Sequence, residues 1–432
     1  MLDRSNHKHA PAAVISSDQR YNSLTYYIWR QAKEFPNPVN HTELLHEADR
    51  CVKCGICLPH CPTYKLTLDE GDSPRGRISL IQALANGHLS DAETHYHLDR
   101  CLSCLACESA CPSGVNYGYL IDGTRALGKP GWKKRLIHRF ISVQPYRNSS
   151  RLLLKLYRFS GLRHLLRLFG GKQLRRLDDL LPRAAEIGLW RKQYLPATEP
   201  RGRVGLFTGC VGRISDRKGL DASIKVLNCL GYEVVVPLNQ GCCGALQQHA
   251  GEPETAKRMT AINQTAFSSD GLDAILYIAS GCGAQLVKQS FGIPVFEITQ
   301  FLNQCHWPDE ARLNALPQTV GLHTPCTLKH QLKLADEPKR LLSRIPEIDL
   351  ISLDEIDCCG AAGSYLLEQP LMADNLRQKA LDKILPHNNL EFLATSNSGC
   401  ALHLASGMRK IAANVQTVHP IELVAMSLDG TA

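Results

Sequence analysis

Cys51, Cys54, Cys57 and Cys61, followed by Pro62, form a C-x2-C-x2-C-x3-C-P run that recurs fifty residues later as Cys101, Cys104, Cys107, Cys111 and Pro112. Thiolates at this spacing hold cubane [4Fe-4S] clusters, the first three cysteines of a run binding one cluster and the fourth ligating the other. Two ligand sets are therefore expected: Cys51, Cys54, Cys57 with Cys111, and Cys101, Cys104, Cys107 with Cys61. The chemistry would be electron transfer. Structural zinc favours two paired C-x2-C units with a longer spacer, and neither zinc nor a disulfide framework fits these spacings as well.

A second pattern takes eight more of the 18 cysteines. Cys210, Cys242, Cys243 and Cys282 are followed by Cys326, Cys358, Cys359 and Cys400, with Gly244 and Gly360 closing a Cys-Cys-Gly in each copy. The first cysteine precedes the Cys-Cys-Gly by 32 residues both times, and the copies start 116 residues apart. One or two further iron-sulfur clusters could be held there, because adjacent cysteines leave the backbone in different directions and suit a multi-iron cluster better than one tetrahedral ion. Cys229 and Cys305 remain, and each is expected to be an ordinary buried cysteine. So many thiols without a secretory signal predict a reducing, cytoplasmic compartment.

These ligands need elements to position them, and 432 residues exceed what one core usually organises. The expected class is α+β/α/β: a helical two-cluster ferredoxin-like domain followed by two tandem α/β Cys-Cys-Gly repeats. The boundaries read as a polar, disordered terminus over 1–39, the cluster domain over 40–127, a basic helical linker over 128–200, and repeats over 201–317 and 318–432. From Arg203 onward, β-branched runs alternate with helical stretches. The cysteines sit at the ends of the runs: "RVGLFTGC", "YEVVVPLNQGCCG" and "DAILYIASGCG" in the first copy, "TVGLHTPC", "IDLISLDEIDCCG" and "EFLATSNSGC" in the second. Loops at the carboxyl ends of parallel strands converge on one crevice, and helix amino termini after them would favour thiolates. His249, His323, His330 and His403 lie near these loops, and none is assigned as a ligand.

Charge concentrates in the linker. Residues 131–195 carry 16 Lys or Arg against three Asp or Glu, so the rest of a chain whose formal net charge is +8 is acidic. Leu152, Leu156, Phe159, Leu162, Leu166 and Phe169 recur at helical spacing among Arg151, Lys155, Arg158, Arg163 and Arg167. This basic amphipathic pattern fits a helix lying on an anionic membrane surface or an acidic partner, and fits equally a solvated helix packed on its own protein. No apolar run reaches the roughly 20 residues of a spanning helix, and no nucleic-acid-binding motif accompanies the charge.

The stretches "CVKCGICLPHCPTYKLTLDEGDSPRGRISLI", "HLDRCLSCLACESACPSGVNYGYLID", "GCCGALQQHAG", "ASGCGAQL", "HTPCTLKHQLK", "CCGAAGSYLL" and "NSGCALHLASG" resemble the iron-sulfur subunits of glycolate oxidase, across about residues 45 to 425. The resemblance implies a complex in which FAD-binding subunits oxidise glycolate to glyoxylate and this chain passes electrons toward a quinone or membrane acceptor, with peripheral contact on the cytoplasmic face of the inner membrane. Related subunits serve D-lactate, glycerol 3-phosphate or succinate oxidation, or heterodisulfide reduction. Heterodisulfide reductases end each repeat in C-x2-C; here Cys282 is followed by Gly283, Ala284 and Gln285, and Cys400 by Ala401, Leu402 and His403. That extra thiolate is missing, which argues against disulfide chemistry. No G-x-G-x-x-G fingerprint supplies a flavin or nicotinamide, so the chain alone is expected to lack a substrate site and a catalytic residue.

Overall fold

The computed structural model describes residues 40–89, 91–128, 131–142, 157, 164, 168, 171–180, 190–268 and 271–429. The expected disordered terminus 1–39 and the apolar and basic positions of the 151–169 helix lie outside the described residues.

Residues 40–142 form helices and loops, with no strand among those described. The helices His41–Ala48, Pro74–Ala85 and Tyr117–Leu127 start where their sequences say they should. Asn40, Ser73 and Asn116 each accept a hydrogen bond from a backbone N–H of the first turn, and Pro74 opens its helix where a missing N–H costs nothing. Their apolar faces meet in a small core of Leu44, Ile78, Ile81, Leu98, Leu120 and Ile121. The two cysteine runs lie in the loops between these helices.

The remainder contains two parallel sheets. The first holds β1 (Gln193–Tyr194), β2 (Gly202–Phe207), β3 (Tyr232–Val235), β4 (Ala274–Tyr277) and β5 (Val295–Glu297), in the order β1-β3-β2-β4-β5. The second holds β6 (Thr319–His323), β7 (Asp349–Ser352), β8 (Phe392–Thr395) and β9 (Gln416–Val418), in the order β7-β6-β8-β9. Setting β1 aside, the orders are the same, so the cysteine repeat is also a repeat of topology. In each sheet the first strand is flanked by the second and third: Val204 pairs with both Val234 and Ala274, and Val320 with both Leu350 and Phe392. Strand order reverses between β2 and β4 and between β6 and β8, where an open α/β sheet leaves a crevice beyond its carboxyl ends. β4 is buried at every position, as expected for a strand covered on both faces.

The repeats share one core. The helix Pro420–Asp429, which ends the second repeat, brings Leu423 and Val424 against the first repeat's helix Arg217–Cys229, where Leu220 and Leu227 are equally buried. Two details differ from the sequence expectation. β1 pairs antiparallel with β3, so the first sheet begins before the expected boundary at 201; two residues in an otherwise basic stretch carry too little periodicity to be recognised. Cys229 is exposed rather than buried, because the last turn of its helix reaches solvent, while Cys305 is half-buried with its Sγ 3.5 Å from the Tyr232 hydroxyl.

Candidate metal centre

The two cysteine runs coil alike. Lys53 and Gly55 in the first, and Ser103 and Leu105 in the second, all have positive φ, at 56°, 84°, 50° and 59°. Three of the four are not glycine. Strain of this kind persists where surrounding structure enforces it, and it turns backbone N–H groups inward, as the Ser103 N–H shows by donating to Cys101 Sγ at 3.4 Å.

Cys51, Cys54, Cys57 and Cys111 line one small cavity, together with Cys107, Val115 and Tyr117. Cys54 is exposed there. Cys61 does not join its sequence neighbours at that cavity: it is buried, with its Sγ 3.2 Å from Thr63 Oγ1, and its charge would act on Cys104 and Cys107 as well as on Cys57. Burial pushes the Cys104 and Cys107 thiols well up, and the nearby thiols push them further.

The Cys-Cys-Gly sets meet at a single larger cavity of about 340 Å³, lined by Cys210, Cys242, Cys243, Cys282, Cys326, Cys358, Cys359 and Cys400, and also by Cys101 and Cys104. Within the first set Cys210 Sγ lies 3.4 Å from Cys242 Sγ; within the second Cys359 Sγ lies 2.7 Å from Cys400 Sγ. Cys210 is pushed well up by its hydrogen bond to Cys242 and by burial. Cys358 is held well below the ordinary thiol value by its contacts with Cys326 and Cys359 and by the Gly360 N–H, which donates to its Sγ at 3.3 Å, while Cys326 and Cys359 are pushed well up.

The loops expected at all three strand ends are present for Cys210 and the Cys-Cys pairs, whereas Cys326 has helical backbone at the start of the turn Thr327–Gln331. Cys282 and Cys400 instead occupy the first turns of the helices Ser280–Leu286 and Ser398–Lys410. Gly360, at φ 79°, could not be replaced without strain: an added Cβ would lie 2.5 Å from the Ala373 carbonyl oxygen. Across the repeats, Asn397 Nδ2 donates to Ser280 Oγ at 3.0 Å, Ser280 Oγ meets Thr327 Oγ1 at 2.7 Å, and Ser398 bonds the half-buried Asp216, whose carboxyl is pushed up to about 6 by desolvation.

Sequence reasoning missed the residues that join the two cysteine systems. Arg125, buried in the helix Tyr117–Leu127, donates to the carbonyls of Leu98 (2.6 Å) and Cys101 (2.9 Å), to Ser103 Oγ (2.9 Å) and to the His249 carbonyl (3.3 Å). From the other repeat, Gln331 donates to the Ser103 carbonyl at 3.0 Å and the Tyr365 hydroxyl to the Arg100 carbonyl at 3.1 Å. No motif marks these residues, because their partners are backbone carbonyls more than 20 residues away. The histidines have other partners: His249 Nδ1 bonds the buried Asp122 at 3.0 Å, His323 bonds Thr395 at 2.9 Å, and His403 bonds the Ala373 carbonyl at 3.3 Å. His330 is half-buried, and its backbone carbonyl accepts from Ser109 Oγ at 3.3 Å.

The donor set fits iron-sulfur ligation. Ionising this many buried thiols in an apolar surrounding would be prohibitive without bound cations, and coordination to a metal removes their protons outright. Residues 47–115 match the "4Fe-4S dicluster domain" family, and residues 204–287 and 320–405 each match the "Cysteine-rich domain" family. The chain is 30% identical over 428 residues to the "Probable glycolate oxidase iron-sulfur subunit" of Bacillus subtilis, covering 90% of this chain and 95% of that one. It is 33% identical over 402 residues to the "Glycolate oxidase iron-sulfur subunit" of Escherichia coli, covering 88% and 94%. One chain of the dihydromethanophenazine:CoB–CoM heterodisulfide reductase of Methanosarcina acetivorans is 24% identical over 427 residues, covering 89% and 95%. Full-length similarity to the first two, over a dicluster domain and two cysteine-rich domains, makes this chain a member of the family of glycolate oxidase iron-sulfur subunits.

Proposed function

We propose that the chain is the electron-relay subunit of a glycolate-oxidising complex, receiving electrons from FAD-binding partner subunits and delivering them toward quinone. The observation that carries this reading is that fifteen of the sixteen cysteines line two cavities, with the second run contributing to both. Cys107 reaches the small cavity that holds Cys51, Cys54, Cys57 and Cys111, while Cys101 and Cys104 reach the large cavity that holds both Cys-Cys-Gly sets. Clusters bound at these thiolates supply reversible one-electron exchange.

The ligand sets we propose are Cys51, Cys54, Cys57 with Cys111, and Cys101, Cys104, Cys107 with Cys61. Cys111 at the first cavity and Cys61 buried beside the second run support this crossover. The two Cys-Cys-Gly sets hold the further one or two clusters. Exposed Cys54, flanked by exposed Val52 and Ile56, is the side from which a donor gains access. Arg125, Gln331 and Tyr365 fix the second run against both repeats, which keeps the spacing between sets constant. Among the described residues no helix is long and apolar enough to cross a membrane; peripheral contact on the cytoplasmic face of the inner membrane, through the basic 151–169 segment, belongs to the proposal. The residues after Cys282 and Cys400 bring no additional thiol, which weakens a disulfide-reducing reading.

The test is electron flow in the complex assembled with its flavin subunits. Cys242→Ser or Cys358→Ser should block reduction of a quinone analogue while glycolate still reduces the flavin, and the isolated chain should oxidise no glycolate. Turnover by the isolated chain would overturn the division of labour, and full quinone reduction by both variants would make the Cys-Cys-Gly sets structural.

A further inference from the structure

A guanidinium lies buried beneath the second cluster run, and the proposed relay does not use it. Arg77 is 1% exposed, in the helix Pro74–Ala85, against Cys61 of the first run and within electrostatic reach of Cys101 of the second. Its Nη1 donates to Thr63 Oγ1 at 3.1 Å and lies 4.0 Å from Cys61 Sγ; Thr63 Oγ1 is itself 3.2 Å from that sulfur. Its Nε donates to the His97 carbonyl at 2.8 Å, and its Nη2 to Asp72 Oδ1 at 3.3 Å. Cys101 accepts from the buried Tyr117 hydroxyl at 3.6 Å, and its charge favours the protonated Arg77.

Asp72 does not neutralise this cation by itself. Fully buried, it also pairs with Arg100 at 2.8 Å and with His97 Nδ1 at 3.0 Å, so one carboxylate is shared by two guanidinium groups and an imidazole. Among the described residues the first run has nothing comparable. Arg75, which approaches its loop through the Lys53 carbonyl at 3.3 Å, is solvated and paired with Glu70 at 2.6 Å. An exposed, paired cation is screened by water and salt, whereas a buried one acts through a low dielectric.

We propose that Arg77, through the thiolates of Cys61 and Cys101, is the positioning residue that raises the reduction potential of the cluster held by Cys61, Cys101, Cys104 and Cys107. Reduction adds one electron to that cluster, and a fixed buried cation in contact with the Cys61 sulfur favours the more negative state. Electrons entering at the exposed Cys54 side are thereby drawn inward to the run that adjoins the Cys-Cys-Gly cavity.

The inference rests on the cluster ligation proposed above, and the experiment separates the two. The full chain, reconstituted with iron and sulfide, is titrated potentiometrically with electron paramagnetic resonance detection, and Cys54→Ser marks which signal belongs to the first run. Arg77→Gln should make the other cluster harder to reduce by at least tenfold in its equilibrium constant, about 59 mV for a one-electron couple, and leave the marked cluster unchanged. Arg77→Lys should recover most of the shift, and Arg75→Gln should move neither midpoint by that much. Should Arg77→Gln fail to hold iron, Arg100→Gln gives the same readout, because Asp72 is then freed from Arg100 and offsets more of the Arg77 charge, and the midpoint should fall likewise. A fully loaded variant of either kind with both midpoints unchanged, or with the shift on the marked cluster, overturns the role of Arg77. A wild-type chain that takes up no iron overturns the ligation instead.

Discussion

Cys61 separates the sequence rule from its simplest alternative. If ligands were shared within a run, removing Cys61 would harm the cluster of Cys51, Cys54 and Cys57. The thiol is instead buried beside Thr63 and Arg77, away from the cavity that Cys51, Cys54, Cys57 and Cys111 line. Cys61→Ser should therefore perturb the spectroscopic signal of the cluster at Cys101, Cys104 and Cys107 and spare the other; loss confined to the first run's cluster would reject the crossover. The rule could be applied from spacing alone because ligand identity is a property of residue type and local loop length. The buried cations could not, since nothing in "SPRGRI" says which arginine faces solvent: Arg75 and Arg77 differ only in which side of one helix they occupy.

At the level of elements, the joint between the repeats has a pH-sensitive pin. His419 follows β9, and its Nε2 bonds the Ile278 carbonyl beyond β4 at 2.9 Å, while its Nδ1 accepts from the Ile421 N–H at 3.2 Å. Both ring nitrogens are thus used by the neutral form, and burial pushes the imidazole down to about 4, against the Ile278 bond that raises it. Because the folded value lies below the ordinary value near 6.5, the unfolded chain takes up the proton first. The contribution is complete above about pH 6.5 and is lost as pH falls toward 4. His419→Ala should cost about 1–3 kcal/mol at pH 7 and flatten part of the decline between pH 6.5 and 4, measured by denaturant titration across that range. An unchanged pH profile would show that the other buried imidazoles, His323 and His403, carry the whole effect.

For the whole molecule, the donor count sets a minimum load. Anaerobically purified protein should be brown and contain at least about eight iron atoms per chain with acid-labile sulfide, since two cubanes need four each; zinc without sulfide would reject the reading. Iron well above that number would place clusters at the Cys-Cys-Gly sets too. Removing iron by chelation should loosen the helical region first, because its apolar core is small and the ligand loops hold strained backbone.

By itself the sequence determined which residues bind and how often the pattern repeats. Those are matters of donor chemistry and spacing along one chain: thiols at two- and three-residue intervals, strands of β-branched residues ending in cysteine, and a duplication that keeps a 32-residue gap. The tertiary structure decided what the parts do together. The two Cys-Cys-Gly sets open on one shared cavity rather than two, because Pro420–Asp429 packs onto the first repeat and both sheets point their carboxyl ends inward. Arg125 and Gln331 then draw the second cluster run against that cavity through carbonyls of Leu98, Cys101 and Ser103. Backbone carbonyls are the same at every residue, so contacts made to them leave no mark in the sequence until the chain is folded.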